Sequence, residues 1–538
     1  MKRVFVLAVS LFVATLAMAA ECVIVPRPVS YEPQKGKVSL TSKSVVYVAD
    51  KSLVHPAEIF CSYVATEKEL HLSVVEVAPK SKSAIRLSLD KSLGEEEYLL
   101  DIAKTGIVIK GGSEKAVFYG LQSLRQIVFH AKGKGKAVVE CATIKDKPHF
   151  SHRGGMLDVG RHIFSVEEVK CYIDMLAMHK MSRFHWHLTE DQGWRIEIKK
   201  YPELTKVGSV RKQSEVGFHN KRVEGKFDGK PYGGFFTQDE VREIVRYATE
   251  RYIEVIPEID MPGHMVAALA TFPELGCTKG PYEVRTRWGI AKDVLCAGRE
   301  STFEFVEGVL AEVLELFPSK YIHIGGDECP KDRWKLCPDC QQRIKDEGLK
   351  DEFELQSYFI RRVEKFLAKN GRNLIGWEEI LQGGVSKTAT IMGWKGTRRG
   401  IQAAKKGNDV IMAPNQYCYL DYANTSDREK NNEPTCGGGN GKRPLPLRKV
   451  YSFDPYDQLN EQERKFIKGV QGNMWTEYVP NFKHLQHMVL PRIAAIAEVG
   501  WTYGEKNYDD FSRRMHLLRK LYDKCGYNYA PYFFNGIE

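Results

Sequence analysis

The sequence predicts an α/β protein in which a small α/β domain, an antiparallel sheet plus a helix, precedes a (β/α)8 barrel. From His152 onward, eight short apolar segments alternate with amphipathic segments, which is typical of a parallel barrel. Before that point, a hairpin signal is followed by one long amphipathic stretch, and the character changes at Lys147-Pro148. We therefore predict a signal peptide over residues 1–19, an N-terminal domain over 20–147 and the barrel over 148–538.

The N-terminus has the pattern of a secretory signal. Lys2 and Arg3 precede an apolar run over residues 4–18, and small residues follow for cleavage. The run is shorter than the roughly 20 apolar residues of a membrane span, and no later stretch is a transmembrane candidate. Cys22 follows Glu21, which disfavours lipid anchoring. The sequence thus predicts a secreted, periplasmic or cell-envelope protein.

In the N-terminal domain, strands are predicted at Val45–Val48 and Ala84–Leu89. Residues 98–102 and 106–109 alternate around Lys104-Thr105-Gly106, which predicts a hairpin, and a helix should follow from about Ser113 to Phe129.

The predicted barrel strands are Gly154–Asp158, Arg183–Leu188, Glu254–Pro257, Tyr321–Gly325, Asn373–Trp377, Thr390–Gly393, Asp409–Ala413 and Gly469–Met474. The predicted helices cover 165–179, 238–250, 302–317, 351–370, 398–406, 460–466 and 482–499. Ser165 with Glu168, and Thr237 with Glu240, should form capping boxes. Residues 421–448 are polar and Gly-rich, which is typical of an active-site or surface loop.

The charge distribution argues against nucleic-acid binding, and the cysteine spacing argues against a zinc site. The net charge of +10 comes from scattered Lys and Arg residues, which indicates a solvated basic surface and no nucleic-acid motif. Cys337 and Cys340 form one C-x-x-C, with Cys329 upstream. Because a zinc site usually needs a second such pair, the pattern favours structural thiols or a disulfide over a metal. Cys277 and Cys296 bracket a loop and could pair.

Polar and aromatic side chains follow every predicted barrel strand. In a (β/α)8 barrel, the active site lies at the carboxyl ends of the strands. The strand ends carry, in order, Asp158, Arg161 and His162; Glu190, Asp191 and Trp194; Glu258, Asp260 and His264; Asp327 and Glu328; Trp377; Trp394; Tyr419 and Asp421; and Trp475 with Glu477.

The Asp327-Glu328 pair is the centre of this rim. Neighbouring side chains of a strand point to opposite faces, so both carboxylates can serve one site only where the chain leaves the strand. Gly325-Gly326 supplies that departure. Indoles stack on the C–H faces of sugars, and Arg153, Asp421 and Glu477 could bind hydroxyls. The mixture favours a carbohydrate over a phosphate, and no phosphate-binding fingerprint is present.

The motifs at these strand ends resemble glycoside hydrolase family 20, the β-N-acetylhexosaminidases, from about Pro26 to about Tyr503. The resemblance rests on Arg153-Gly-Gly-Met-Leu-Asp158-Val-Gly-Arg161-His162, His185-Trp-His187-Leu-Thr-Glu-Asp191-Gln-Gly-Trp194, Glu258-Ile-Asp260-Met-Pro-Gly-His264, His323-Ile-Gly-Gly-Asp327-Glu328, Gly376-Trp377-Glu378, Tyr419-Leu-Asp421 and Trp475-Thr-Glu477. It implies exo-acting release of terminal β-linked N-acetylhexosamine from a glycan, with retention, and no cofactor or metal.

The resemblance also implies residue roles. Glu328 is the general acid and then the base, while the nucleophile is the substrate's own acetamido oxygen. Asp327 holds the acetamido N–H, and Tyr419 donates to the acetamido oxygen. Trp377, Trp394 and Trp475 enclose the sugar, and Arg153, Asp421 and Glu477 bind its hydroxyls. His264 and Asp191 resemble a relay to the acid, with Glu190 as the alternative partner.

Phe453 departs from the family, where some members carry Trp, and this puts the leaving-group preference in doubt. We predict that four histidines, His185, His187, His264 and His323, are core or supporting residues and not metal ligands, because no recognised metal-ligand set appears. The alternatives are a member that releases a disaccharide or a modified, for example sulfated, sugar; a non-catalytic glycan-binding barrel; and a metal-dependent hydrolase. The sequence leaves the oligomeric state open.

Overall fold

The computed structural model describes residues 21–81, 83–219, 225–440 and 442–537. The predicted signal peptide, residues 1–19, lies outside the described residues. Within the described part of the chain, no helix is both long and apolar enough to cross a membrane.

The N-terminal domain contains a seven-stranded sheet with the strand order β1-β7-β5-β6-β4-β2-β3. Its elements are β1 (Ser30–Leu40), β2 (Val45–Val48), α1 (Val54–Lys68), β3 (Ser73–Val75), β4 (Ile85–Leu89), β5 (Tyr98–Ala103), β6 (Gly106–Gly111), α2 (Glu114–His130) and β7 (Ala137–Asp146). The predicted hairpin is confirmed as β5 and β6, which pair antiparallel.

This sheet is mixed, whereas an antiparallel sheet was expected. β1, β7, β5 and β6 pair antiparallel, but β2 pairs parallel with both β3 and β4, and β4 pairs parallel with β6. Parallel neighbours need a crossover, and α1 supplies the one between β2 and β3. The sequence prediction lacked α1 and therefore lacked the crossover.

The second domain is a closed barrel of eight parallel strands, which confirms the predicted fold. The strands are β8 (His152–Asp158), β9 (Arg183–His187), β10 (Glu254–Glu258), β11 (Tyr321–His323), β12 (Asn373–Trp377), β13 (Thr390–Gly393), β14 (Val410–Met412) and β15 (Ile467–Met474). All eight coincide with predicted strands to within three residues at either end. β15 closes the barrel on β8 in parallel register.

The helices of the barrel domain are α3 (Val166–Met178), α4 (Glu203–Lys206), α5 (Gln238–Thr249), α6 (Val266–Thr271), α7 (Glu300–Leu316), α8 (Asp332–Leu336), α9 (Pro338–Asp346), α10 (Glu352–Lys369), α11 (Arg398–Lys405), α12 (Asn415–Cys418), α13 (Gly437–Asn440), α14 (Leu447–Tyr451), α15 (Glu461–Arg464), α16 (Phe482–Val489), α17 (Arg492–Trp501) and α18 (Tyr508–Cys525). Both predicted capping boxes are present, at the starts of α3 and α5. The single helix expected over 482–499 is two helices, because Pro491 has no N–H to continue the ladder.

The last helix, α18, joins the two domains. It packs against α1 and α2 of the N-terminal domain. The Arg513 and Arg514 guanidinium groups donate to the carbonyl oxygens of Cys22 and Ile24, and Tyr522 bonds to the His179 imidazole at 2.7 Å. The beginning and end of the described chain therefore share one interface.

Four cysteines from distant parts of the sequence meet in the barrel domain. Cys277, Cys296, Cys337 and Cys340 lie with their Sγ atoms within 4.8 Å of one another. The twelve cysteines are free thiols in the structure. A Cys277–Cys296 disulfide, the pairing that the sequence allows, is therefore not present; Cys296 lies 3.7 Å from Cys337 and 3.6 Å from Cys340.

Candidate active site

A cavity of about 300 Å³ lies at the carboxyl ends of the barrel strands. Its lining includes most of the predicted site residues together with several that were not predicted. They are Arg161, Phe218, His264, Asp327, Glu328, Trp377, Trp394, Tyr419, Asp421, Tyr422, Gly437, Gly438, Gly439, Trp475, Glu477 and Tyr478. A larger cavity of about 620 Å³ between the domains contains none of these groups, so the rim cavity is the candidate active site.

The turn after β11 brings both carboxylates of the Asp327-Glu328 pair to this cavity. The strand ends at His323, and Gly325 and Gly326 have φ values of 67° and 90°. A Cβ on Gly325 would lie 1.7 Å from Oδ1 of Asp260, so only glycine fits there. Glu328 itself has a φ of 40°, a left-handed conformation that costs about 1–3 kcal/mol for a residue with a side chain.

Three indoles and a phenol form the wall of the cavity. Trp394 stacks on Tyr419 with centroids 5.9 Å apart and an interplanar angle of 15°, and Trp475 lies 5.8 Å from Trp377. The Trp377 N–H donates to Glu258 at 2.8 Å, and the Trp394 N–H donates to Glu379 at 3.0 Å. Because both N–H groups are bonded to buried carboxylates, these indoles are held in fixed orientations.

His264 connects the acid pair to the barrel interior. Its Nε2 lies 3.6 Å from Asp327 and 3.8 Å from Glu328. Its Nδ1 lies 3.1 Å from Oε2 of Glu190 but 3.7 Å from Asp191. Burial disfavours the imidazolium, yet the Glu190 charge and hydrogen bond outweigh burial and hold the pKa of His264 well above its usual value.

Asp191, the expected partner of His264, therefore lies beyond hydrogen-bonding distance of the imidazole. Asp191 is fully buried outside the cavity lining. It accepts from the Val266 N–H at 3.1 Å and from Arg285 at 3.1 Å. Glu190 is the residue within hydrogen-bonding distance of His264, and this corrects the preference for Asp191 that motif position suggested.

Arg153 lies far from the cavity, contrary to expectation. It is in β8, near the strand's amino end, fully buried, and its guanidinium donates to the Tyr119 hydroxyl at 2.8 Å, to the Phe150 carbonyl at 2.6 Å and to Glu96 at 3.1 Å. Arg153 thus ties the barrel to the N-terminal domain. The motif contains a second arginine, eight residues on, and motif position alone gave no reason to prefer it.

That second arginine, Arg161, lines the cavity. Its guanidinium lies 3.0 Å from Asp158, 2.6 Å from Glu190 and 3.8 Å from Glu477, and 5.1 Å from the centre of the Trp475 ring. These carboxylates hold its pKa well above the usual value even though burial opposes the charge. Arg161 is the cation that the sequence analysis placed on the rim but did not assign to the site.

Burial raises the pKa values of three carboxyl groups of the cavity, those of Asp327, Asp421 and Glu477. Burial, and then the neighbouring carboxylates, raise the pKa of Asp327 from 3.8 to about 7, although His264 opposes the rise. Burial and the Glu477 charge raise the pKa of Asp421 well above its usual value. The pKa of Glu477 is also raised by burial, against the effect of Arg161.

Beneath the cavity, Glu258 gathers three histidines. Its carboxylate lies 2.9 Å from His185, 2.5 Å from His187 and 3.0 Å from His323, and it also accepts from the Trp377 N–H. Each carboxylate oxygen is therefore within reach of two donors. The arrangement supports the position of Trp377 from below.

Comparison with known proteins places both domains. Residues 150–503 match the catalytic domain of glycosyl hydrolase family 20, and residues 21–147 match domain 2 of that family. A β-hexosaminidase of Porphyromonas gingivalis is 43% identical over 516 residues, which cover 94% of this chain and 64% of that protein. A β-hexosaminidase of Vibrio furnissii is 36% identical over 90% of this chain and 77% of its own length.

Solved structures of β-N-acetylhexosaminidases are also similar to this chain. An exo β-N-acetylglucosaminidase from Vibrio harveyi, crystallised with N-acetylglucosamine, has a TM-score of 0.84 and 31% identity over 95% of this chain and 78% of that chain. A β-N-acetylhexosaminidase from Bacteroides fragilis has a TM-score of 0.79 and 32% identity over 94% of this chain and 97% of its own.

Proposed function

Because the chain belongs to glycosyl hydrolase family 20, we propose that it is an exo-acting β-N-acetylhexosaminidase that uses the acetamido group of its own substrate as the nucleophile. The observation that carries this proposal is the convergence of Asp327, Glu328 and Tyr419 on one Trp-walled cavity. A single sugar ring with a 2-acetamido group matches this combination of flat apolar walls and clustered polar atoms.

The polar atoms of the cavity are positioned for a ligand. Oδ1 of Asp327 and Oδ1 of Asp421 are buried and have no hydrogen-bond partner among the described residues. A buried polar atom without a partner costs about 1–3 kcal/mol. Sugar hydroxyls and the acetamido N–H are the donors that would satisfy these oxygens. Asp421, Glu477 and Arg161 then bind the hydroxyls, and Asp327 binds the N–H.

In the first step, the acetamido carbonyl oxygen attacks the anomeric carbon while the bond to the leaving oxygen breaks. Glu328 gives its proton to that oxygen, and an oxazolinium ion forms. The attack is intramolecular, so it avoids the entropic cost of bringing in a second molecule as the nucleophile. Ionised Asp327 balances the positive charge, and the Tyr419 hydroxyl donates to the acetamido oxygen.

In the second step, water attacks the same carbon from the face that the leaving group vacated. Glu328 takes the water proton, and the oxazolinium ring opens to restore the acetamide. Two inversions at one carbon give net retention. His264, held by Glu190, positions the acid pair from the side.

Charge favours a neutral terminal sugar. The cavity lining contains four carboxylic side chains, Asp327, Glu328, Asp421 and Glu477, against the two basic side chains Arg161 and His264. Arg161 is already engaged by Asp158 and Glu190. A sulfated sugar would need a cation for its sulfate, and both basic side chains of this lining are already paired with Glu190, so the unmodified N-acetylhexosamine is the favoured substrate.

The test is hydrolysis of aryl β-N-acetylglucosaminide and aryl β-glucoside by the wild type and by Glu328→Gln, with Glu461→Gln, an exposed glutamate on α15, as the matched control. We expect turnover of the acetamido sugar only. Loss of general acid catalysis should lower kcat/KM, which reports the first step, by about 10²–10⁴-fold. The decrease in kcat/KM should be much smaller with a dinitrophenyl leaving group, which departs without a proton. Equal turnover of both sugars would contradict the acetamido nucleophile.

Export is a second part of the proposal. The basic and apolar composition of residues 2–18 supports it. N-terminal sequencing of the protein isolated from its native host should begin at Ala20, after removal of residues 1–19. A start at Met1 would contradict export by this signal.

A further inference from the structure

We infer that the cysteine cluster of Cys277, Cys296, Cys337 and Cys340 is a tetrahedral site for a structural zinc ion. The site would be separate from the catalytic chemistry and independent of the proposed activity. The sequence alone favours structural thiols or a disulfide over a metal, because only one C-x-x-C is present. The fold supplies the missing ligands from two single cysteines far apart in sequence.

The spacing of the sulfur atoms carries the inference. Cys277 and Cys340 lie 3.8 Å apart, Cys296 and Cys337 lie 3.7 Å apart, and Cys296 and Cys340 lie 3.6 Å apart, each measured between Sγ atoms. A disulfide would need about 2.05 Å. Zinc–thiolate bonds are about 2.3 Å long, and a regular tetrahedron with that radius has edges of about 3.8 Å. The observed distances therefore fit four ligands around one ion.

Simple packing of four thiols explains this cluster less well than zinc coordination does. Van der Waals contact would place any two sulfurs at this distance, but it gives no reason for four sulfurs to converge from three places on the chain. Cys296 and Cys340 are fully buried and Cys337 is nearly so. Tetrahedral S₄ coordination is the arrangement that zinc prefers, and its thiolate ligands exclude harder ions such as Mg²⁺ and Ca²⁺.

The surroundings suit a negatively charged zinc–thiolate centre. Gly298 approaches the cluster so closely that a Cβ on it would lie 2.4 Å from the backbone nitrogen of Cys340. The Arg299 guanidinium is held beside the cluster by Asp339 at 2.6 Å and by the Gly276 carbonyl at 3.0 Å. A nearby cation such as this guanidinium stabilises thiolates.

The location indicates what the ion would do. Cys277 and Cys296 close the base of a loop that follows β10, next to the bridge between Gly276 and Leu295. Cys337 and Cys340 lie at the start of α9, in the connection that follows β11. The first of these connections carries His264 and the second carries Asp327 and Glu328. One ion would thus tie together the two loops that bear the acid pair and its histidine.

The experiment is metal analysis of the full chain, purified without chelators or metal-affinity resin. We expect about one zinc ion per wild-type chain, and release of that zinc when the thiols are modified. Refolding or exchange with Co²⁺ should give the visible d–d bands of tetrahedral thiolate coordination. Cys340→Ser should retain less than about a tenth of the zinc, whereas the control Cys61→Ser, in α1 outside the cluster, should retain all of it.

Neither the wild-type zinc content nor the cobalt spectrum depends on a variant that folds. A wild-type chain that contains no zinc and takes up neither Zn²⁺ nor Co²⁺ would overturn the inference. Peptide mapping that finds Cys277 linked to Cys296 would overturn it as well, and iron in place of zinc would overturn the choice of metal. Since no readout uses catalysis, failure of the zinc site is distinguishable from failure of the proposed function.

Discussion

Replacement of Asp327 by Asn should abolish most activity and yet stabilise the protein at alkaline pH. Burial raises the pKa of Asp327 from 3.8 to about 7. Between these values the folded protein holds a proton that the unfolded chain has lost, so stability falls as the pH rises. Above about pH 7 the penalty is complete. The ionised carboxylate that the proposed mechanism needs is thus the form that folding disfavours.

The magnitude follows from the shift. Each pKa unit corresponds to 1.36 kcal/mol, so a shift of roughly three units costs about 4 kcal/mol above pH 7. About 3 kcal/mol of that develops between about pH 5 and pH 8. This is an upper value, since relaxation and water entry lower the cost of a buried charge. An asparagine does not ionise, so the variant avoids this loss.

The assay is urea unfolding of wild type and Asp327→Asn at about pH 5 and about pH 8, followed by tryptophan fluorescence. The free energy of unfolding of the variant minus that of the wild type should increase by up to about 3 kcal/mol between about pH 5 and about pH 8. Asp346→Asn, an exposed aspartate on α9, is the control and should show no such gain. A difference between variant and wild type that does not change with pH would refute the raised pKa of Asp327.

Three further predictions concern other parts of the site. Tyr419→Phe should lower kcat by about 10²-fold or more with little change in KM, because one hydrogen bond to the developing charge is lost; a change in KM alone would contradict that role. Gly325→Ala should reduce the yield of folded protein and, in what folds, the midpoint of thermal unfolding, because its Cβ meets Asp260 at 1.7 Å; unchanged stability would refute the need for glycine. Arg161→Lys should raise KM because Arg161 lines the cavity, whereas Arg153→Lys should lower the midpoint of thermal unfolding with an unchanged KM; a raised KM for Arg153→Lys with an unchanged KM for Arg161→Lys would restore Arg153 to the site.

The barrel strands could be predicted because parallel strands covered on both faces form continuous apolar runs. Their carboxyl ends share one rim, so Asp327, Glu328, Trp377 and Tyr419 could be placed together from the sequence alone. The pattern therefore specified both the fold and most of the candidate site. It did so because each strand is short and is followed by a recognisable change to polar residues.

The features that escaped prediction depend on contacts between distant segments. The choice between Glu190 and Asp191 rests on side-chain distances of 3.1 and 3.7 Å to one histidine, and adjacent residues of one motif carry no such information. Arg153 and Arg161 lie in the same motif, but only the former is inside the strand, near its amino end. The cysteine cluster draws on single cysteines whose neighbours in sequence give no metal-binding pattern.

The packing of α18 on α1 and α2 has a consequence for synthesis of the chain. A ribosome releases residues 21–147 long before residues 508–525 exist, so the N-terminal domain must wait with this surface uncovered. Closure of the barrel also waits, because β15 must reach β8. Completion of the N-terminal domain is therefore coupled to α18, and a nascent chain stalled before α18 leaves the ribosome should keep the surface of α1 and α2 open to protease.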